Sequence, residues 1–519
     1  MFSALLMERS EAQLIPGRAR ASLRPLWLLA VTLLSCGIYW YFISAGGLSR
    51  WPTYGTYHDL LAEGFRSGHL YLPVTPDPAL VNAKNPLDRV NFRYWMLDAS
   101  FYKGKYYVYW GPMPAMLQAA AKSLLQIKRS IGDQYLVMFF MCLGAWFSAL
   151  MVERVGRRLF GGVSRPLLIL GTLTLVCANP TLHAASTAST YTVSIVSAQT
   201  CLLGALVAAF DAVWYSGIRR AHHARLALAG LGFGLALACR ISVAPAVAIF
   251  CCVTAVAGAW TSKQPVRQVL SGSISLGAPV ALIASALLYY NKLRFDSWLE
   301  FGTNMQTSGV PQIHLSASYL LPNLYSYMLR PGVLSCQFPY VFQVWAMGTD
   351  AFPRGYQLPP GYMISEPVIG WLRAVPITWL SPLAFLLAPR PFNLRNLRTR
   401  GYVWCLIVFC TLASFTGLIG TGIYSATMRY LSDVTFGLVL VSLLGAYALS
   451  SHPLGRRARG LTFSFVSLLA LASIVLGVLI GYQGYNGHFR AFNPELDAKF
   501  VKLLSVCGNR TPNVPKYRP

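Results

Sequence analysis

Apolar runs close to the length of a bilayer crossing recur along nearly the whole chain, separated by short polar breaks. Roughly 20 consecutive apolar residues carry a helix across a hydrocarbon core. On that criterion the pattern predicts helical spans near 27–46, 134–152, 166–184, 190–213, 226–239, 242–260, 268–290, 368–388, 402–421, 430–449 and 461–482. The expected fold class is an all-α polytopic membrane protein with about eleven transmembrane helices, residues 27–482 forming one domain. No repeat of 20–50 residues and no low-complexity segment interrupts it.

The stretch 111–127 is ambiguous: apolar but short, opened by Pro112 and Pro114, and holding Lys122. Basic residues decide its status. If 111–127 does not cross, the loops 153–165, 214–225, 261–267, 389–400 and 451–459 share a side with the N-terminus. They carry 4, 3, 2, 4 and 3 Lys/Arg, and residues 1–26 add 4. The short loops opposite carry at most one each, Arg240 and Arg429. The positive-inside rule then makes 1–26 a cytoplasmic N-terminal segment and 483–519 an extracytoplasmic tail. A crossing at 111–127 would invert every later loop and break the rule. That stretch is therefore expected as an interfacial or re-entrant helix, within the first of two large outer loops, 47–133 and 291–367.

Composition agrees. Hydrophobic residues make up 55% and charged residues 12% of the 519, where a soluble domain carries about 25% charged. This excludes an ordinary soluble enzyme and any disordered or fibrous class. The net charge of +26 superficially suits nucleic acid. Its carriers sit mostly in short loops, however, where they set topology and meet anionic lipid head groups. Membrane lipids, and no nucleic acid, are the expected surroundings. Most of the eleven cysteines lie in apolar runs, with no CxxC pair and no zinc spacing. The run ending at Cys36 reads as an uncleaved first helix, because apolar and aromatic residues continue beyond it.

The acids are the uneven feature. Twelve of seventeen fall in the two outer loops and the tail, and Asp433 lies just inside its span. Acids contribute little to topology. Part of the bias follows from long soluble loops, and the rest points to chemistry or binding on that face. In the first loop, Leu60, Leu61, Phe65 and Leu72 share a face at helical spacing, as in an amphipathic helix on the membrane surface. Residues 95–114 then crowd aromatics and cations around one acid, Asp98. Asp98 has the chemistry of a general base, and Lys103 and Lys105 that of phosphate ligands. Tyr102, Tyr106, Tyr107 and Trp110 suit stacking on sugar faces or anchoring at the interface. His58, His69, His314 and His488 show no ligand spacing. A divalent metal held by carboxylates is compatible with the sequence, but nothing demands one, and no cofactor is specified.

These residues resemble a known family. LLAEGFRSGHLYL (60–72), NPLD (85–88) and LDASFYKGKYYVYWGPMPAML (97–117) are similar to the first outer loop of bacterial GT-C-type membrane glycosyltransferases. Those enzymes are relatives of the dolichyl-phosphate-mannose protein mannosyltransferases. Tyr290-Asn291, Arg294-Phe295-Asp296 and Glu300-Phe301-Gly302 echo the family further on, as do Arg429-Tyr430 and Asp433. The resemblance runs through most of the chain. It implies transfer of a sugar from a polyprenyl-phosphate donor to a glycan, lipid or protein acceptor, on the extracytoplasmic face of a bacterial inner membrane. The family places its base or metal-binding acid soon after the first span. Here Tyr54-Gly55-Thr56 stands there, without an acid. Asp98, then Asp88, then Asp59 become the candidate bases. Lys103, Lys105, Arg294, Arg330, Arg429 and Arg240 are the candidate donor-phosphate ligands. Arg429 and Asp433 are four apart and placed to pair.

Two other classes compete. A transporter or flippase of lipid-linked sugars predicts ionisable residues deep in mid-span and helices broken at symmetric positions. The span centres are almost free of charge, although Pro180 and Pro245 are candidate breaks. A non-catalytic scaffold predicts that replacing Asp98 leaves the envelope glycan unchanged.

Overall fold

The structure is a computed structural model. It describes residues 24–507, apart from 161–162, 215–218, 262–265, 309–314, 344–351, 354, 363–366, 388–396, 453–454 and 486. The first 23 residues, most of the basic loops around 261–267 and 389–400, His314, and the tail beyond residue 507 therefore lie outside the described residues.

The chain is predominantly helical, and helical segments stand at the eleven places read from the apolar pattern, although 368–388 holds only three short pieces, Trp371–Ala374, Pro376–Leu380 and Ser381–Leu387. The helices are α1 (Arg24–Ile43), then after two short helices α2 (Tyr57–Arg66) and α3 (Met113–Leu124), α4 (Asp133–Arg154), α5 (Arg165–Cys177), α6 (Thr190–Trp214), α7 (Arg219–Cys239), α8 (Ala244–Thr261), α9 (Val266–Phe295), α10 (Ser381–Leu387), α11 (Leu397–Gly422), α12 (Met428–Ser450) and α13 (Arg456–Gln483). Among the described residues, seven helical stretches are long and apolar enough to cross a membrane: Leu26–Ile43, Asp133–Leu159, Thr190–Val213, Val269–Phe295, Val403–Gly422, Met428–Ser450 and Arg456–Gln483. The expected span 166–184 is interrupted: α5 stops at Cys177, and Thr181–Ser186 resumes after Pro180. Proline lacks the N–H that a continuous helix needs there.

Helices α6 and α7 pack along each other, as do α7 and α9, and α4 against α6. The largest buried side chains of the main core include Trp371, Tyr447, Phe210 and Phe233. At one end of the bundle Arg154 grips Asp211 through two hydrogen bonds, 2.6 and 2.8 Å. The opposite end carries the long loops.

There the sequence reading needs two adjustments. The amphipathic stretch 57–72 is helical only to Arg66, and it buries His58, Asp59, Leu61, Ala62 and Gly64 against protein. Its polar residues can go inside because each meets a polar group, as described below. The aromatic stretch is no plain loop either. Strands β1 (Ala99–Tyr102) and β2 (Lys105–Tyr107) form a hairpin, and β3 (Gln306–Thr307) from the second loop pairs with β1 on its other edge. The two-residue turn Lys103-Gly104 has positive φ at both positions, 46° and 72°. That is the turn geometry matching the twist of a hairpin, and glycine accommodates it without strain. The helix α3 occupies the ambiguous 111–127 stretch and packs on α2.

The end of the chain is tied back to the second loop. Cys336 and Cys507 form a disulfide with a Cα–Cα distance of 5.4 Å. Val506 N donates to Cys336 O (2.8 Å), and Phe338 N to Ser505 Oγ (3.1 Å). The cross-link closes a long segment, and such links typically contribute about 2–5 kcal/mol. Cys507→Ser should therefore lower the thermal midpoint of the purified protein, and reductant should lower that of the wild type to match. Equal midpoints in all four conditions would show that the tail needs no cross-link.

Candidate active site

The three-stranded sheet explains the position of Asp98. It immediately precedes β1, and its backbone N–H donates to Thr307 O (2.8 Å). Its φ is 60°, a left-handed conformation that aspartate tolerates better than most residues. At this corner the half-buried carboxylate accepts a hydrogen bond from Gln306 Nε2 (3.3 Å). The same Nε2 reaches the Tyr109 hydroxyl (3.2 Å). The Tyr191 side chain, at the start of α6, lies close to both Asp98 and Tyr109. Three segments far apart in sequence thus meet at one carboxylate.

Aromatic rings wall the site. Trp110 is buried, with Tyr109 at 4.4 Å, Tyr191 edge-on at 5.0 Å and Tyr57 edge-on at 5.8 Å. Burial, and next the Asp98 and Asp133 carboxylates, push the Tyr57 hydroxyl up to about 12. Burial likewise holds Tyr109 well above the ordinary tyrosine value. Both hydroxyls stay protonated at neutral pH, as hydrogen-bonding groups. On the opposite side the Arg429 guanidinium sits 4.1 Å from the Tyr191 ring centroid, a cation–π contact. Asp98 and Arg429 therefore both lie beside Tyr191, Arg429 over its ring.

A buried polar layer lies behind these rings. His58 stacks on Trp110 (6.1 Å between centroids) and faces Asp133 through Nδ1 at 3.4 Å, both fully buried. Thr190, the residue before Tyr191, donates to the other Asp133 oxygen. Asp133 opens α4, where the helix dipole favours a carboxylate. Its N–H donates to Gly55 O (3.1 Å). A Cβ on Gly55 would stand 2.7 Å from Thr190 Oγ1 and 3.3 Å from Asp133 Oδ2. Asp133, at the far end of the same loop, thus lies against Gly55. Among the described residues no three His, Cys, Asp or Glu gather in a way that would hold a metal.

The remaining candidates take varied places. Asp59 is buried, with Oδ1 2.7 Å from Lys122 Nζ. It also accepts from Gln118 Nε2 and Ser130 Oγ, each at 2.8 Å. Asp88 is exposed and caps the turn Arg89–Tyr94 by accepting from Val90 N (3.1 Å). Lys103 is exposed and pairs with Asp296 (2.7 Å), which also accepts from Tyr102 (2.9 Å). Lys105 lies over the Tyr71 ring at 4.0 Å. Tyr106 is buried, its hydroxyl between Tyr94 O and Met96 N. Tyr107 is buried against Phe295 and Tyr71. Arg294 is buried and donates to Val108 O (2.6 Å) and Asn291 Oδ1 (2.7 Å), bracing the strand that leads to Trp110. Arg330 is buried near Tyr325 and Tyr362, and desolvation lowers its pKa. Arg240 pairs with Asp433 at 3.0 Å.

The geometry thus gathers Asp98, Trp110 and Arg429 and leaves the other two candidate acids in different roles. Asp88→Asn should change any activity less than about threefold and cost about 0.5–1 kcal/mol as a weakened cap. A kinetic comparison and a melting curve of that variant check both numbers. Sequence reasoning did not single out Tyr57, Asp133, Tyr191 or Gln306. Tyr191 and Asp133 stand at helix starts beside apolar runs, which hid them. Only the strand alternation around Lys103-Gly104 could have suggested a pairing edge for Gln306.

No family model matches the chain, and no curated protein sequence matches it. Solved structures do. ArnT from Cupriavidus metallidurans bound to undecaprenyl phosphate is similar over 91% of this chain and 79% of its own, at 11% identity and a TM-score of 0.45. The apo state of that protein is similar over 92% and 78%, at 12% identity and a TM-score of 0.46. The apo oligosaccharyltransferase of Archaeoglobus fulgidus is similar over 95% of this chain, at 12% identity and a TM-score of 0.48, and this chain spans 62% of its length. Likeness this loose does not transfer an activity from one protein to another.

Proposed function

We propose that the protein is an integral membrane glycosyltransferase of the GT-C type. It moves a sugar from a polyprenyl-phosphate donor to a glycan, lipid or protein acceptor on the extracytoplasmic face of a bacterial inner membrane. The observation that carries this is the shared tyrosine. A carboxylate and a guanidinium flank Tyr191 at the loop-bearing end of an apolar bundle. A carboxylate and a cation beside the same aromatic ring is what this reaction asks for. The disulfide fits the same face, since such bonds persist in oxidising compartments.

In this reading Asp98 takes the proton from the acceptor hydroxyl, whose oxygen attacks the anomeric carbon. The bond from that carbon to the phosphate oxygen breaks, and the lipid phosphate leaves with the electron pair. Arg429 stabilises that departing charge. Tyr109, Tyr191 and Trp110 offer faces and hydroxyls to the sugar. Gln306 holds the Asp98 carboxylate in its corner.

The test is reconstitution. The purified full-length protein is supplied with radiolabelled polyprenyl-phosphate sugars and cell-envelope acceptors. Label should move to an acceptor in the presence of wild type. Movement of the donor between leaflets without transfer would favour a flippase and overturn the proposal.

A further inference from the structure

Arg429 and Asp433 are one helical turn apart on α12, a spacing at which opposite charges pair. The structure pairs Asp433 with Arg240 instead. Arg240 Nη2 lies 3.0 Å from Asp433 Oδ2, with the side chains 13% and 7% exposed. Gln199 Nε2 on α6 donates to the other carboxylate oxygen (3.4 Å), and Arg240 Nε donates to Ser242 Oγ (2.7 Å). The Arg240 guanidinium also faces the Tyr430 ring at 5.4 Å. Arg240 directly follows α7, at a tight seam. Gly111, next to Trp110, donates its N–H to Cys239 O (3.1 Å), and a Cβ on it would stand 2.0 Å from Ala238 O. The pair therefore sits where the Tyr109-Trp110-Gly111 segment docks on the bundle, one helical turn along α12 from Arg429.

A buried ion pair rarely adds net stability over apolar side chains of the same size. Removing one member is different, because the other charge stays buried and must find a partner. If Arg240 were neutral, the nearest cation on the α12 face of Asp433 would be Arg429. We propose that Arg240 is a positioning residue: by occupying Asp433 it keeps Arg429 at the Tyr191 ring, beside Asp98, rather than on its own helix neighbour. This rests on the reading of Asp98 and Arg429 as the reacting site. It reassigns Arg240, expected from sequence as a phosphate ligand, to a role exerted through Arg429.

The inference makes an asymmetric prediction. Arg240→Gln should leave Asp433 to capture Arg429 and raise the donor KM about 10- to 100-fold, the effect of losing one to two charge-assisted contacts. Asp433→Asn removes the competitor and should cost far less. The double variant R240Q/D433N should then recover, to within about threefold of D433N alone. Arg240→Lys keeps the charge and should retain at least a third of wild-type kcat/KM. A second readout needs no turnover: peptide mass spectrometry of phenylglyoxal labelling at Arg429. Labelling should fall in R240Q and return in R240Q/D433N. A double variant as impaired and as poorly labelled as R240Q overturns the proposal, since Arg240 then acts directly or only as a fold element. So does unaltered Arg429 labelling in a folded R240Q. If wild type transfers no sugar but the labelling pattern holds, the glycosyltransferase reading fails and the positioning role stands. Should R240Q fail to fold, R240K beside D433N decides: greater loss in R240K than in D433N overturns it.

Discussion

Asp98→Asn should reduce kcat by a factor on the order of 10²–10⁴, the range a positioned general base contributes, while leaving the donor KM within about threefold. Asparagine is nearly isosteric with aspartate. Its amide oxygen can still accept from Gln306 Nε2, the group that donates to the carboxylate. The corner at φ 60° also suits asparagine as well as aspartate. The corner should therefore keep its shape and lose only its proton acceptor. The measurement is steady-state transfer with the donor varied at saturating acceptor, beside a melting curve to confirm folding. A folded D98N protein that transfers at more than a tenth of the wild-type rate would move the base elsewhere. Asp133 would then be next by geometry, since it lies behind the same rings and faces a histidine. A large rise in donor KM at unchanged kcat would instead make Asp98 a binding group.

Much of the helical scaffold was legible because its signal is repeated and local. A run of about 20 apolar residues predicts a crossing helix whatever its neighbours do, and among the described residues seven of the predicted places hold a helix long and apolar enough to cross. Lys122 was legible as an obstacle to crossing at 111–127, and the structure shows its charge committed to acids of α2. The site was legible only in part. Asp98 stood out as an acid amid rings, a feature of adjacent residues. Tyr191, Gln306 and Asp133 belong to the site through contacts spanning long stretches of chain, and no local spacing encodes those. The same limit explains Asp433. Its sequence neighbour Arg429 is an obvious partner at helical spacing, but Arg240 reaches it from a different helix end. Local rules propose pairs within an element, and tertiary packing chooses among them. The hairpin was missed for another reason. Its residues read as an aromatic belt, and the Lys103-Gly104 turn that organises them is only two residues long.

Lys122→Met should be the most destabilising single change in the loop layer, and its effect should be on folding rather than on chemistry. The Lys122 side chain is 1% exposed, and its Nζ lies 2.7 Å from Asp59 Oδ1 and 2.5 Å from Glu63 Oε1. Taking away one member of a buried pair costs about 3–5 kcal/mol, because the partner's charge is left without compensation. Asp59 would keep only Gln118 and Ser130, neutral donors that do not cancel a charge. The loss should be greatest in α2 and α3, which pack on each other. Hydrogen exchange should accelerate in peptides covering 57–66 and 113–124 and stay unchanged in α12. A double variant, Lys122→Met with Asp59→Leu, should cost less than Lys122→Met alone, the non-additivity expected of partners in contact. There is also a pH signature. Lys122 holds the Glu63 carboxyl below the usual glutamate range. That stabilisation is complete above the ordinary Glu value and is lost as pH falls through the lowered one, so wild-type protection should fade there, and Lys122→Met, which keeps only the Arg66 contact to Glu63, should show a smaller step. Asp59 as a catalytic base predicts the reverse pattern. In that case Asp59→Asn, which leaves Lys122 its contact with Glu63, would abolish transfer with exchange in α2 unchanged. A protein that keeps wild-type protection in Lys122→Met would refute the structural role given to this pair.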